Sequence, residues 1–107
     1  MRYIRTKDGK IYDTKDLTKC DDKRFPNGWF TKYGVPLVSI KEADTITELC
    51  DRFVYETNKG NHYVKDKTQV MNLFFDEKPI AYYGAIWTKK GLQFVARMNN
   101  EGVLELI

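Results

Sequence analysis

At 107 residues, with 42% hydrophobic and 14% aromatic side chains, the chain is long enough to build one core and too apolar to be disordered. No window approaches the roughly 20 apolar residues of a membrane helix, and the opening MRYIRTKDGK lacks the apolar stretch of a secretory leader, so a single domain over 1–107 in a cytoplasmic setting is expected. The net charge of +3 is modest, with the basic surplus in residues 1–32 (nine Lys/Arg against five Asp/Glu) and thirteen Lys to five Arg overall; a solvated surface is the first reading and a phosphate-binding face the second.

The chain opens on a hairpin pattern. Arg2 to Thr6 alternates polar and apolar, Lys7-Asp8-Gly9-Lys10 supplies an Asp-Gly turn, and Ile11-Tyr12-Asp13 returns. Residues 14–24 are polar apart from Leu17 and read as a loop or weak helical turn. Residues 25–36 are aromatic-rich but punctuated by Pro26, Asn27-Gly28, Gly34 and Pro36, which predicts no lasting regular element. Leu37 to Ile40 reads as a short strand.

A helix is predicted from Thr45 to about Arg52. Thr45 and Glu48 have capping-box spacing, and Ile46, Leu49, Cys50 and Phe53 fall on one helical face. On that stripe Cys50 is a small core residue rather than a nucleophile. Phe53–Thr57 and His62–Lys65, joined through Asn58-Lys59-Gly60-Asn61, form a second hairpin pattern. Thr68 to Phe75 fits a helix face, with a strand as the alternative.

From Ile80 onward the pattern is a meander: 80–87, 92–98 and 103–107, with Gly91 and Gly102 closing the turns. Strict alternation puts Leu92, Phe94, Ala96 and Met98 on one face and Gln93, Val95 and Arg97 on the other. Tyr82 opposes Tyr83 and Trp87 on one central strand, so at least one set is core, and the other could cover it under a helix. The architecture these signals predict is α+β: an antiparallel twisted sheet or partly closed small barrel built from hairpins, with one or two short helices packed on it.

Three segments, Tyr3–Tyr12, Ala43–Asp51 and Tyr83–Leu92, resemble a group of small uncharacterised proteins of phages and integrated elements of low-GC Gram-positive bacteria. The resemblance implies a bacterial cytoplasmic setting and an accessory role. It brings no catalytic or binding residue with it, since the group has no assigned activity.

The inventory for chemistry is thin. His62 is the single histidine, better placed as an edge-strand or solvated residue than as a base. Cys20 and Cys50 lack a neighbouring Cys or His at ligand spacing and read as thiols rather than a disulfide. Ser39, the one serine, sits in no nucleophile elbow. Asp21-Asp22 is flanked by Lys19, Lys23 and Arg24, so salt pairing on a loop accounts for it. Glycine patterns that cradle phosphate are absent. The expectation is a protein that is not an enzyme and needs no metal or cofactor.

The most function-like patch combines Arg24, Trp29, Phe30, Lys32 and Tyr33. Outward rings there could stack on bases or anchor in a partner while the cations track phosphate or acidic surface. Turned inward, Trp29 and Phe30 would instead plug one end of the sheet. These observations predict a small interaction module that binds a host or phage macromolecule, in the first instance a protein. The alternative is single-stranded nucleic acid held by the basic, aromatic N-terminal third. Val103–Ile107, as an edge strand, could also pair two copies across a two-fold axis.

Overall fold

Strands carry almost all the regular structure in the computed structural model, which describes residues 2–65 and 79–107. Two compact units divide the chain, Met1–Leu49 and Cys50–Ile107. The segment Thr68–Phe75, for which a helix was the expectation, lies outside the described residues.

The first unit is a five-stranded antiparallel sheet. Its strands are β1 (Tyr3–Thr6), β2 (Ile11–Asp13), β3 (Leu17–Lys19), β4 (Gly28–Thr31) and β5 (Pro36–Ala43), in the order β2-β1-β5-β4-β3. The predicted Asp-Gly hairpin joins β1 to β2, with Gly9 at φ 84° as the turn requires. β5 is longer than its pattern suggested because it serves two partners. Leu37 and Val38 lie opposite Trp29 and Gly28 of β4, while Ser39 to Ala43 run along β1.

β3 and β4 fall in stretches where no lasting strand is predicted. The Pro, Asn and Gly residues there bound a strand instead of abolishing one. Asn27 takes the left-handed conformation (φ 58°) just before β4. Gly28 lies under the Phe25 ring, so closely that a Cβ would sit 2.0 Å from Phe25 Cδ1. After β4 the Thr31 hydroxyl accepts from the amides of Tyr33 and Val35, turning the chain into β5. The core of this sheet is Ile4, Trp29 and Leu37, flanked by Tyr12 and Leu17.

The second unit is also an antiparallel five-stranded sheet: β6 (Arg52–Thr57), β7 (Gly60–Val64), β8 (Pro79–Thr88), β9 (Gly91–Met98) and β10 (Leu104–Leu106), in the order β10-β9-β8-β6-β7. Both predicted hairpins are present with two-residue turns, Thr57 facing Gly60 and Thr88 facing Gly91. Each of these threonines uses its hydroxyl to accept an amide inside its own turn. The closing meander forms as its sequence predicts, with β10 as an edge strand.

The α+β expectation is overturned. Among the described residues the helical content is two single 3-10 turns, Thr14–Asp16 and Thr47–Leu49, and neither sheet closes into a barrel. The predicted helix over Thr45–Arg52 shrinks to the second of these turns for an identifiable reason. Its start is built: the Glu48 carboxylate accepts from both the amide and the hydroxyl of Thr45. Its continuation is not, because the Asp51 amide, which a helix would direct to the Thr47 carbonyl, donates to Ala85 O of β8 at 2.9 Å. The next residues after Arg52, Phe53-Val54-Tyr55, are strand formers that pair on both sides. A two-turn helix is marginal by itself, and the ladder wins. Ile46, Leu49 and Phe53 are buried all the same.

The strict alternation expected along β9 is also corrected. Gly84 faces Ala96, yet Ala85 faces Phe94, so Val95 is an extra residue with no opposite number on β8. This β-bulge rotates the strand by one residue. Phe94 therefore shares a face with Arg97, and Ala96 lies on the other. The Val95 carbonyl is taken up by the Ile107 amide at 3.1 Å.

Candidate functional site

The residues singled out in the N-terminal third do not form one surface. Trp29 and Phe30 are neighbours on β4 and point to opposite faces. Trp29 is 7% exposed, within the Ile4–Leu37 core, with Lys19 Nζ 4.9 Å from its ring centroid. Phe30 is half-buried, its ring 6.3 Å from that of Phe25. Tyr33 is 81% exposed in the turn after β4, and Lys32 lies against its ring.

Arg24 is held locally by Asp22. Its Nη2 donates to Asp22 Oδ2 at 2.8 Å, and its amide donates to Oδ1. The guanidinium, and after it the amide, hold the Asp22 carboxyl below the usual carboxylate range. A carboxyl whose folded value is depressed adds stability above its unfolded value and loses it as pH falls through the folded one. Both side chains are exposed, so the effect on folding is negligible. Arg24→Ala is expected to raise the Asp22 titration midpoint in NMR and leave the melting temperature unchanged.

The remaining candidates offer little chemistry. His62 lies on the edge strand β7 opposite Tyr55. Ser39 is buried and its hydroxyl donates to Lys41 O. Cys20 and Cys50 are thiols, neither joined in a disulfide. Among the described residues no group of three or more His, Cys, Asp or Glu is placed to hold a metal ion. Among them, too, no helix is long and apolar enough to cross a membrane.

A different surface does gather functional groups, and the bulge at Val95 assembles it. The ladder places Tyr63 of β7, Val54 of β6, Tyr83 of β8 and Arg97 of β9 in one row across the sheet. The adjoining row holds Arg52, Ala85 and Phe94, and the next Trp87 and Leu92. Cross-strand partners share a face. Val54 and Ala85 are completely buried there, forming a floor, while Tyr63, Trp87 and Phe94 project with 57%, 51% and 39% exposure. Tyr83 and Phe94 stack with centroids 5.0 Å apart.

Both arginines lie on aromatic rings. The Arg97 guanidinium carbon is 5.8 Å from the Tyr83 centroid, and that of Arg52 is 6.0 Å from Trp87. Arg52 also donates to the carbonyl of Asp51 at 2.7 Å, and the Asp51 carboxylate accepts from the Trp87 amide at 2.8 Å. Among the described residues neither guanidinium is ion-paired to a carboxylate. Two acids share the face, Glu56 opposite Ala81 and Glu105 opposite Arg97, the latter accepting from Asn99 Nδ2. The other face of the sheet is conventional core: Phe53, Tyr55 and Tyr82 pack ring on ring, with Val64, Ile86, Ala96 and Leu104 buried.

Sequence reasoning reaches Tyr83 and Trp87 without deciding whether they or Tyr82 face the core, and it puts Arg97 on the face opposite Phe94, where the ladder puts the two together. The missing signal is the bulge, which a side-chain pattern does not announce. In comparisons with known proteins, no protein family, no curated protein and no solved structure matches the chain.

Proposed function

We propose that this chain is a small non-enzymatic interaction module that holds a macromolecule against the Tyr63–Tyr83–Trp87–Phe94 face of its second unit. One observation carries this reading: aromatic rings stand exposed above a sunken aliphatic floor, beside two guanidiniums that lie on rings and, among the described residues, form no ion pair with a carboxylate. A fold buries rings to gain stability; rings left in water around Val54 and Ala85 serve contact instead. Tyr, Trp and Arg are the side chains that dominate binding energy where macromolecules meet. The setting is the bacterial cytoplasm and the role accessory, in keeping with the phage and integrated-element proteins that the sequence resembles.

The test compares affinity capture by the wild-type chain, by a Tyr83→Ala/Phe94→Ala double variant and by Tyr33→Ala. A macromolecule held by wild type and by Tyr33→Ala, but lost by the folded double variant, is the expected result. Equal capture by all three would remove the face from the binding surface.

A further inference from the structure

We infer that the ligand of this face is single-stranded nucleic acid, an inference that rests on the binding-module reading above. A sheet face, unlike a sheet edge, has no free backbone amides or carbonyls to offer, because the ladder uses them. Recognition there falls to side chains, and the ones that project are flat π-systems and planar guanidiniums. Tyr63 and Tyr83 flank the sunken Val54 in one row, about 10 Å apart across two strand spacings. Tyr83 and Phe94, on adjacent strands, add a stacked pair beside that gap. Rings set on neighbouring strands at different heights suit flat heterocycles that stack one after another, as unpaired bases do.

The guanidiniums supply the other half of a nucleotide's chemistry. Arg97 lies against Tyr83 in the same row, and Arg52 is one row away. Arg97, stacked on Tyr83, and Arg52, through the N–H groups that the Asp51 carbonyl does not take, present guanidinium donors to phosphate oxygens, with no ion pair to a carboxylate among the described residues. Tyr, Trp and Arg serve protein interfaces too; what favours a nucleic acid is that Val54 and Ala85, the aliphatic side chains between the rings, are completely buried, leaving flat faces to make the contact. Double-stranded nucleic acid hides the base faces that these rings would meet. The acids Glu56 and Glu105 border the patch, so the charge surplus is small and stacking carries most of the affinity.

That balance gives a distinctive test by fluorescence anisotropy of a short labelled oligo(dT), with a duplex of equal length alongside. Single-strand binding in excess of duplex binding is expected at low salt. The logarithm of affinity should fall against the logarithm of salt with a shallow slope of about −1.4, the value for two phosphates on a single strand. Tyr83→Ala and Phe94→Leu should each weaken binding about tenfold or more, Tyr83→Phe should restore it, and Tyr33→Ala should leave it unchanged. Melting curves accompany every variant; should Tyr83→Ala not fold, the exposed Arg97→Glu, expected to weaken binding and flatten the salt slope, carries the comparison. No anisotropy change at low salt, or binding that ignores both Tyr83→Ala and Arg97→Glu, overturns the inference. If the oligonucleotide fails while the Tyr83→Ala/Phe94→Ala variant still loses a captured protein, the ligand class falls and the module reading stands; if both fail, both fall.

Discussion

Trp29→Ala is expected to destabilise the first unit by about 3–5 kcal/mol, the range for removing a large aromatic from a packed core. For a small sheet this approaches the whole margin, since domains are stable by only about 5–15 kcal/mol. Trp29 joins the two halves of its sheet's core. It lies opposite Lys19 on one side and Leu37 on the other, packs with Ile4, and is roofed by the Lys19 ammonium. Its buried Nε1–H has no acceptor among the described residues, which sets part of the packing gain against an unmet hydrogen bond. Trp29→Phe discards that donor and keeps an aromatic ring, so it should cost clearly less than Trp29→Ala. Denaturant midpoints of the two variants, with amide exchange in β1, β4 and β5, provide the measurement. An unchanged midpoint for Trp29→Ala would mean that the ring contributes nothing to the core.

The same residue shows why a linear patch misleads. Arg24, Trp29, Phe30, Lys32 and Tyr33 are close in sequence, but a strand sends alternate residues to opposite faces. Trp29 goes inward, Phe30 to the other side, and Tyr33 into solvent at the turn. Hairpins were legible because their turns are chemically explicit: Asp8-Gly9, and Gly91, which adopts φ 106°. The capped helix start was legible too, as Thr45 and Glu48 do meet. Its extension depended on whether the Asp51 amide found a carbonyl four residues back or one on β8, more than thirty residues on. Local pattern does not register so distant a partner. Phe94 and Arg97 likewise reach one face only because Val95 is an extra residue in the ladder.

Gly84→Ala is the second substitution with a large expected effect, about 1–3 kcal/mol of destabilisation from overpacking. Glycine in mid-strand ordinarily weakens a sheet, yet here it sits in β8, between Phe53 and Ala96. A Cβ added to it would lie 2.6 Å from Cys50 Sγ, 3.2 Å from Leu104 Cδ1 and 3.6 Å from Ala96 Cβ. The thiol therefore occupies the volume that any other residue at 84 would claim. Cys50→Ala removes the closest obstacle and by itself should cost about 1 kcal/mol in lost contacts. In the Gly84→Ala/Cys50→Ala chain the new methyl fills the space that the sulfur leaves, and the unfolded chain has less freedom to lose. The double variant should then be more stable than Gly84→Ala alone, with a coupling of about 1–2 kcal/mol in the mutant cycle. Strict additivity would show that the Cys50–Gly84 contact does not set the choice of glycine. Tyr83, the next residue, projects from the opposite face of β8, so oligonucleotide affinity should fall in Gly84→Ala only as far as the fold loosens, and return with stability in the double variant.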